Sequence, residues 1–300
     1  MHPIIFRIGA FQLHSYGVAM GLAFVLGIWW AVRRAHLAGV QKAFIFDLAV
    51  VVMISSLVGA RLTYVAAHWS EYKHHPLDIL SPIQSDGTIG IQGMVLLGGI
   101  FLAVVCGGWY VKRKGVPFWA MADVSAPPLA LGIAIGRIGC YLNGCCFGHP
   151  TNGIFGVIFP SGCYAAAIYP GIRIHPTQLY SAGAAFLTAI LLVGLERRGR
   201  TFAGWTASLF LILSGIDRVI VEGYRYYPPD KYFTLLGTQW TGSRVVALLM
   251  VGAGIVAFAM LSKSARRIAA KEMQIPTADT KKSAESVHTD KGQDQSGSRE

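Results

Sequence analysis

Charge is scarce in this sequence. Asp, Glu, Lys and Arg supply 14% of its 300 residues, against roughly 25% in a soluble domain. Hydrophobic residues make up 53%, and with a positive mean hydropathy the deficit points to a membrane protein. Other absences narrow the class further. No A-x-A cleavage site follows the first apolar run, which begins near Leu13, so that run reads as a retained helix rather than a removed signal peptide. No soluble domain fits between the apolar runs, and no internal repeat is visible. The formal net charge of +11 would suggest nucleic acid if the basic residues shared one soluble face. They sit instead in short clusters between apolar runs and in a polar tail, which excludes nucleic acid as a partner and fits the positive-inside rule.

What is present is a series of runs long enough to cross a bilayer, each near 20 residues. They lie at Leu13–Val32, Phe44–Ala67, Gly87–Tyr110, Phe118–Gly139, Gln178–Leu195, Phe202–Val221 and Ser243–Leu261. Arg33, Arg34 and Lys42 follow the first, Lys112, Arg113 and Lys114 the third, and Arg197, Arg198 and Arg200 the fifth. Lys263, Arg266 and Arg267 follow the last, whereas the second and fourth connections carry only Lys73 and Arg173. This alternation predicts an all-α polytopic membrane protein of about seven transmembrane helices, with the N-terminus outside and the C-terminus cytoplasmic. Connections around 68–87, 140–177 and 222–242 then face outward. Arg225 and Lys231 break the trend in the last of these, a sign that they serve something other than topology. Residues 1–262 form the expected transmembrane domain. Residues 263–300 form a polar cytoplasmic tail without apolar period, expected to be disordered.

Ionisable residues at membrane depth are costly, so each is a candidate functional residue. Arg61 ends "VGAR" in the second run, Arg137 lies at the outer end of the fourth, and Arg218 and Glu222 lie at the outer end of the sixth. Arg218 and Glu222 are four residues apart, on one helix face. One reading is an Arg–Glu pair that seats the helix. The other is an anionic-substrate site, since the guanidinium fork suits phosphate better than an ammonium does. "IHPTQLY" at 174–180 marks a helix start with Thr177 as a cap candidate, beside His175 and Gln178. "GRIGCYLNGCCFGHP" at 136–150 gathers three of the 5 cysteines next to His149. Its C-x4-C-C-x2-H spacing is a poor zinc pattern, so no metal ligand set is assigned. A disulfide, with Cys163 as partner of Cys145 or Cys146, suits an outward-facing loop. Reactive thiols and simple packing remain alternatives.

With these residues in view, the chain resembles the bacterial prolipoprotein diacylglyceryl transferase family from about Phe6 to Leu261. "LHSYGVAMG" at 13–21 looks like the first-helix motif, with Tyr16 at its tyrosine, and "VGARLTYV" at 58–65 matches the second helix. "GRIGCYLNGCCFG" at 136–148 is similar to the signature G-R-x-G-N-F-x-N-G-E-x-x-G. "HPTQLY" at 175–180 and "RVIVEGYR" at 218–225 match two further motifs.

The resemblance implies transfer of diacylglyceryl from phosphatidylglycerol to the lipobox cysteine of a prolipoprotein signal peptide, without cofactor, in the bacterial inner (cytoplasmic) membrane with the site toward the periplasm. It implies that Arg137 and Arg218 hold the lipid phosphate and that Glu222 orients Arg218 or the headgroup. It further implies substrate contacts from Tyr16, Arg61, Gln92, Asn143, Gly148, His175 and Gln178. Three positions depart from the family pattern. Gln92 stands where the family has a His that is a candidate general base, Cys140 replaces the signature Asn, and Cys145 replaces the signature Glu. An amide cannot take up a thiol proton at neutral pH. A family member that binds phospholipid without transfer, or acts on another acceptor, is therefore the second expectation. A transporter lined by Arg61, Arg137 and Arg218 is the third, without the paired-half symmetry many transporters show.

Overall fold

The computed structural model describes residues 4–8, 11–73, 95–235 and 237–274. A short antiparallel hairpin, β1 (Ile4–Ile8) and β2 (Phe11–His14), leads into α1 (Ser15–Arg34). α2 (Lys42–Ala67) and the single turn α3 (Trp69–Tyr72) follow, then α4 (Leu96–Arg113) and α5 (Phe118–Asn143). A loop carrying α6 (Tyr164–Ile168) connects to α7 (Thr177–Arg198) and α8 (Trp205–Glu222). The hairpin of β3 (Tyr232–Leu235) and β4 (Thr238–Thr241) then runs directly into α9 (Gly242–Gln274).

Helices occupy all seven predicted places. Six are long and apolar enough to cross a membrane. The seventh, α8, carries Asp217, Arg218 and Glu222 near its C-terminal end within only 18 residues. α4 begins at Leu96 after an extended Val95, and positions 87–94 of the expected third run lie outside the described residues. At the other end of the chain, α9 continues to Gln274, past residue 262. A helix satisfies its own backbone groups, which is why these apolar runs fold this way in hydrocarbon. Their outward faces stay apolar, with Phe101, Val104, Leu249 and Met260 all exposed, as lipid contact requires.

The helices pack through small residues. α2 and α4 approach so closely that a Cβ on Gly59 would collide with the Gly98 carbonyl, and one on Gly98 with the Thr63 hydroxyl. Val95 N–H donates to the Ala60 carbonyl at 3.0 Å across this contact. Such backbone approach is the usual source of helix affinity in lipid, where no hydrophobic drive operates between helices. Further packing pairs α1 with α5, α5 with α7, and α8 with α9.

One end of the bundle is held by buried charge. Asp123, fully buried in the first turns of α5, accepts from Gly204 N–H at 2.7 Å and Ala207 N–H at 2.9 Å. It thereby satisfies free donors at the start of α8 and opposes the positive end of that helix. Arg34, at the end of α1, donates to the Val124 and Asp123 carbonyls and pairs with Glu196 of α7 at 2.9 Å. Thr206 donates to the same Glu196 carboxylate at 2.6 Å. Four helices are thus pinned at the end opposite the candidate site.

Candidate active site

At the other end lie the start of α1, the end of α5, the loop 144–176, the start of α7, the end of α8 and the β3–β4 hairpin. The signature motif forms the last two turns of α5 and the turn after it. Gly144 ends the helix in the left-handed region (φ 71°), and Cys146 follows at φ 61°, the one non-glycine with positive φ among the described residues. For an ordinary side chain that conformation costs about 1–2 kcal/mol, so something must hold it. Two side chains from the start of α7 do so: Thr177 Oγ1 donates to the Cys146 carbonyl and Gln178 Nε2 to the Cys145 carbonyl, each at 2.7 Å. Thr177 is therefore not a helix cap. Pro176 occupies the cap position without a side-chain bond, and the Thr177 hydroxyl serves the loop instead.

Gly148 is the next tight point. A Cβ there would meet the Tyr224 carbonyl at 2.5 Å, His175 Cβ at 2.7 Å and Thr177 Cγ2 at 2.8 Å. Around it, Gly148 N–H donates to the His175 carbonyl, His149 N–H to Tyr224, and Tyr226 N–H to Phe147, at 2.9 to 3.0 Å. The first of these bonds ties the signature loop to the segment entering α7, and the other two tie it to the chain leaving α8. Phe147 stacks on Tyr226 (centroids 5.5 Å) above a small apolar core of Phe159, Cys163, Ala165 and Ile174. His175 bonds Tyr180 through Nδ1 at 3.1 Å and packs against the Tyr224 ring.

The arginines converge over this scaffold. Arg137 and Arg225 both lie within electrostatic reach of Arg218. Arg218 donates from Nε and Nη2 to Ser243 Oγ at 3.0 and 2.8 Å. Glu222 accepts from the Thr241 hydroxyl at 2.8 Å. The Arg218–Glu222 ion pair, one of the two readings of their spacing, does not form, because the β4–α9 junction supplies a hydroxyl to each. Arg225 sits over the Tyr227 ring at 4.9 Å, its buried Nε without a hydrogen-bond partner. Among the described residues Asp217 and Glu222 are the carboxylates within electrostatic reach of these guanidiniums, and Cys146 is a third acidic group beside Arg225 and Arg137.

Cys140, Cys145 and Cys146 bring their sulfurs within 4.8 Å of one another. All five cysteines are free thiols. Cys163 lies apart in the apolar core, its Sγ 3.2 Å from the Pro160 carbonyl, so the expected pairing with Cys145 or Cys146 is absent. The close Cys140 and Cys145 thiols, with the Arg225 and Arg137 guanidiniums, lower the Cys146 thiol below the usual thiol range, while the Cys145 thiol donates to the Cys140 carbonyl at 3.7 Å. Tyr16 stands within electrostatic reach of the same three thiols and of Arg137, and Asn143 lies beside Cys145.

Of the residues singled out from sequence, Arg137, Arg218, Glu222, Tyr16 and Asn143 come together here, while Gly148, His175 and Gln178 shape the loop. Arg61 is buried on α2 against the Tyr72 ring, 5.1 Å from its centroid. Gln92 lies outside the described residues. Thr241, Ser243 and Tyr227 were not readable as site residues, because ordinary polar residues in a connection carry no signal. Arg225 carried one, as a cation on an outward connection.

The chain matches the family model described as prolipoprotein diacylglyceryl transferase over residues 3–260. It is 30% identical over 258 residues to the phosphatidylglycerol–prolipoprotein diacylglyceryl transferase of Clostridium tetani (strain Massachusetts / E88), covering 86% of this chain and 97% of that protein. The enzyme of the same name from Bacillus mycoides (strain KBAB4) is 32% identical over 228 residues, covering 74% and 80%. That of Bacillus anthracis is 33% identical over 225 residues, covering 73% and 79%.

Proposed function

Since the chain belongs to the prolipoprotein diacylglyceryl transferase family, we propose that it transfers the diacylglyceryl group of phosphatidylglycerol to the lipobox cysteine of a prolipoprotein. The observation that carries this reading is the gathering of Arg137, Arg218 and Arg225 at one end of an apolar bundle, with Arg218 held by the Ser243 hydroxyl rather than by a carboxylate. A half-buried guanidinium cluster suits a phospholipid phosphate.

In the reaction, the acceptor sulfur bonds the glycerol carbon next to the phosphate, and the carbon–oxygen bond breaks. The electron pair leaves with glycerol phosphate, and the thiol proton is lost. Arg137 and Arg218 hold the phosphate and stabilise the charge that grows on it, with Arg218 aimed by Ser243. Glu222, fixed by Thr241, accepts from the headgroup glycerol. Tyr16 and Asn143 contact the headgroup, Arg61 stays buried on α2 against the Tyr72 ring, and Gly148, His175 and Gln178 keep the loop in place. Gln92 is assigned to the same substrate contacts. Arginine-rich surroundings ease ionisation of the acceptor thiol, so the reaction proceeds without the family His.

The cationic clusters after α1, α4, α7 and within α9 lie at the end opposite this site. By the positive-inside rule that end is cytoplasmic, and the site faces the periplasm of the inner membrane. Gln92 favours a second reading, phospholipid binding without transfer. Complementation of cells depleted of their own transferase, with a labelled prolipoprotein, separates the two. Thioether product supports transfer. No product from a well-expressed chain that is stabilised by phosphatidylglycerol supports binding alone.

A further inference from the structure

We propose that Cys140, Cys145 and Cys146 form a three-sulfur site for a soft d10 cation, with Cu(I) as its preferred occupant. The site stands on geometry and does not depend on the proposed reaction. Along the chain the spacing looks wrong for a metal. In three dimensions Cys140 occupies the last turn of α5, the left-handed Gly144 ends the helix, and the Cys145 N–H donates to the Cys140 carbonyl at 3.2 Å, which turns the chain back so that the next two thiols come beside the first. A trigonal complex with metal–sulfur bonds of about 2.3 Å places its sulfurs about 4 Å apart. The three sulfurs, all within 4.8 Å of one another, need only a small contraction.

Three features favour occupancy by a soft cation. The donor set is all sulfur, with no carboxylate or imidazole in the group, and thiolates select Cu(I) over harder ions. The donors sit on a loop already held by Thr177 and Gln178 through the Cys146 and Cys145 carbonyls, so little ordering is needed on binding. The charge also balances: three thiolates around one monovalent cation leave two negative charges, and Arg137 and Arg225 lie within electrostatic reach to meet them. A closed structural zinc site takes four protein ligands, one more than the group supplies.

The full chain, reduced and purified in detergent, is titrated anaerobically with Cu(I) against a chromophoric Cu(I) chelator. The expected result is one copper per chain, with an ultraviolet sulfur-to-copper charge-transfer band. Cys140→Ser, Cys145→Ser and Cys146→Ser should each weaken binding by at least about 100-fold, while Cys106→Ser leaves it unchanged. Thermal melting of each variant separates lost ligation from lost fold. Copper binding undiminished in the three variants overturns the proposal. So does a preference for Zn(II) under the same conditions, or a disulfide among these thiols as the only chemistry they show.

Discussion

Arg218 gives two hydrogen bonds to the single hydroxyl of Ser243, at 3.0 and 2.8 Å, while Glu222, one turn along the same helix, accepts from Thr241 instead. The guanidinium is therefore aimed by the start of α9 rather than neutralised by its helical neighbour, and its charge stays available to a phosphate. Ser243→Ala should lower transfer about tenfold, the effect of one lost hydrogen bond to a charged group, without loss of fold. Arg218→Ala should lower it by about 100- to 1000-fold. Initial rates with fixed phosphatidylglycerol read both. Equal rates for wild type and Ser243→Ala would show that the serine does not aim the arginine.

Gly148 should tolerate no side chain. A methyl there meets the Tyr224 carbonyl, which belongs to the backbone and cannot swing aside. Gly148→Ala should destabilise the signature loop by about 1–3 kcal/mol, in the range for overpacked sites. A lowered melting temperature together with lost activity is expected. An unchanged melting temperature would mean that the loop and the segment after α8 part more easily than the two backbone bonds between them imply.

Asp123 predicts a stability effect without a direct catalytic one. Asp123→Ala leaves the Gly204 and Ala207 donors unsatisfied in a buried setting, at about 1–3 kcal/mol for each group. Melting in detergent should fall, while the transfer rate of the folded fraction at low temperature should stay near wild type, because the site lies at the other end of the bundle.

Gln92 offers a gain-of-function test. If the acceptor thiol ionises without a dedicated base, Gln92→His should change the rate little at pH 7 and above. A large gain from an inactive parent would show that this chain lacks a base it needs, and would favour the binding-only reading.

The architecture was legible because hydrocarbon permits few solutions: apolar runs such as Phe44–Ala67 can only be helices, and α2 starts within two residues of that estimate. Arg137 and Arg218 were legible as rare charges at helix ends. Asp123 is as rare a charge, but its partners, the Gly204 and Ala207 N–H groups, lie 81 and 84 residues away and carry no signal in sequence. The Thr177 hydroxyl was misassigned because a helix start offers two acceptor-donor schemes, and only the fold brings the Cys146 carbonyl within its reach. The thiol cluster was hidden for a similar reason. Ligand spacing along a chain describes regular turns, and the left-handed Gly144 breaks that regularity.

The central claim is tested most directly by mass spectrometry of a lipobox peptide incubated with the purified chain in phosphatidylglycerol liposomes. The account predicts a peptide carrying one diacylglyceryl thioether, with glycerol phosphate released in equal amount, and loss of both with Arg137→Ala. Unmodified peptide from a folded, membrane-inserted chain, or product that persists with Arg137→Ala, would contradict it.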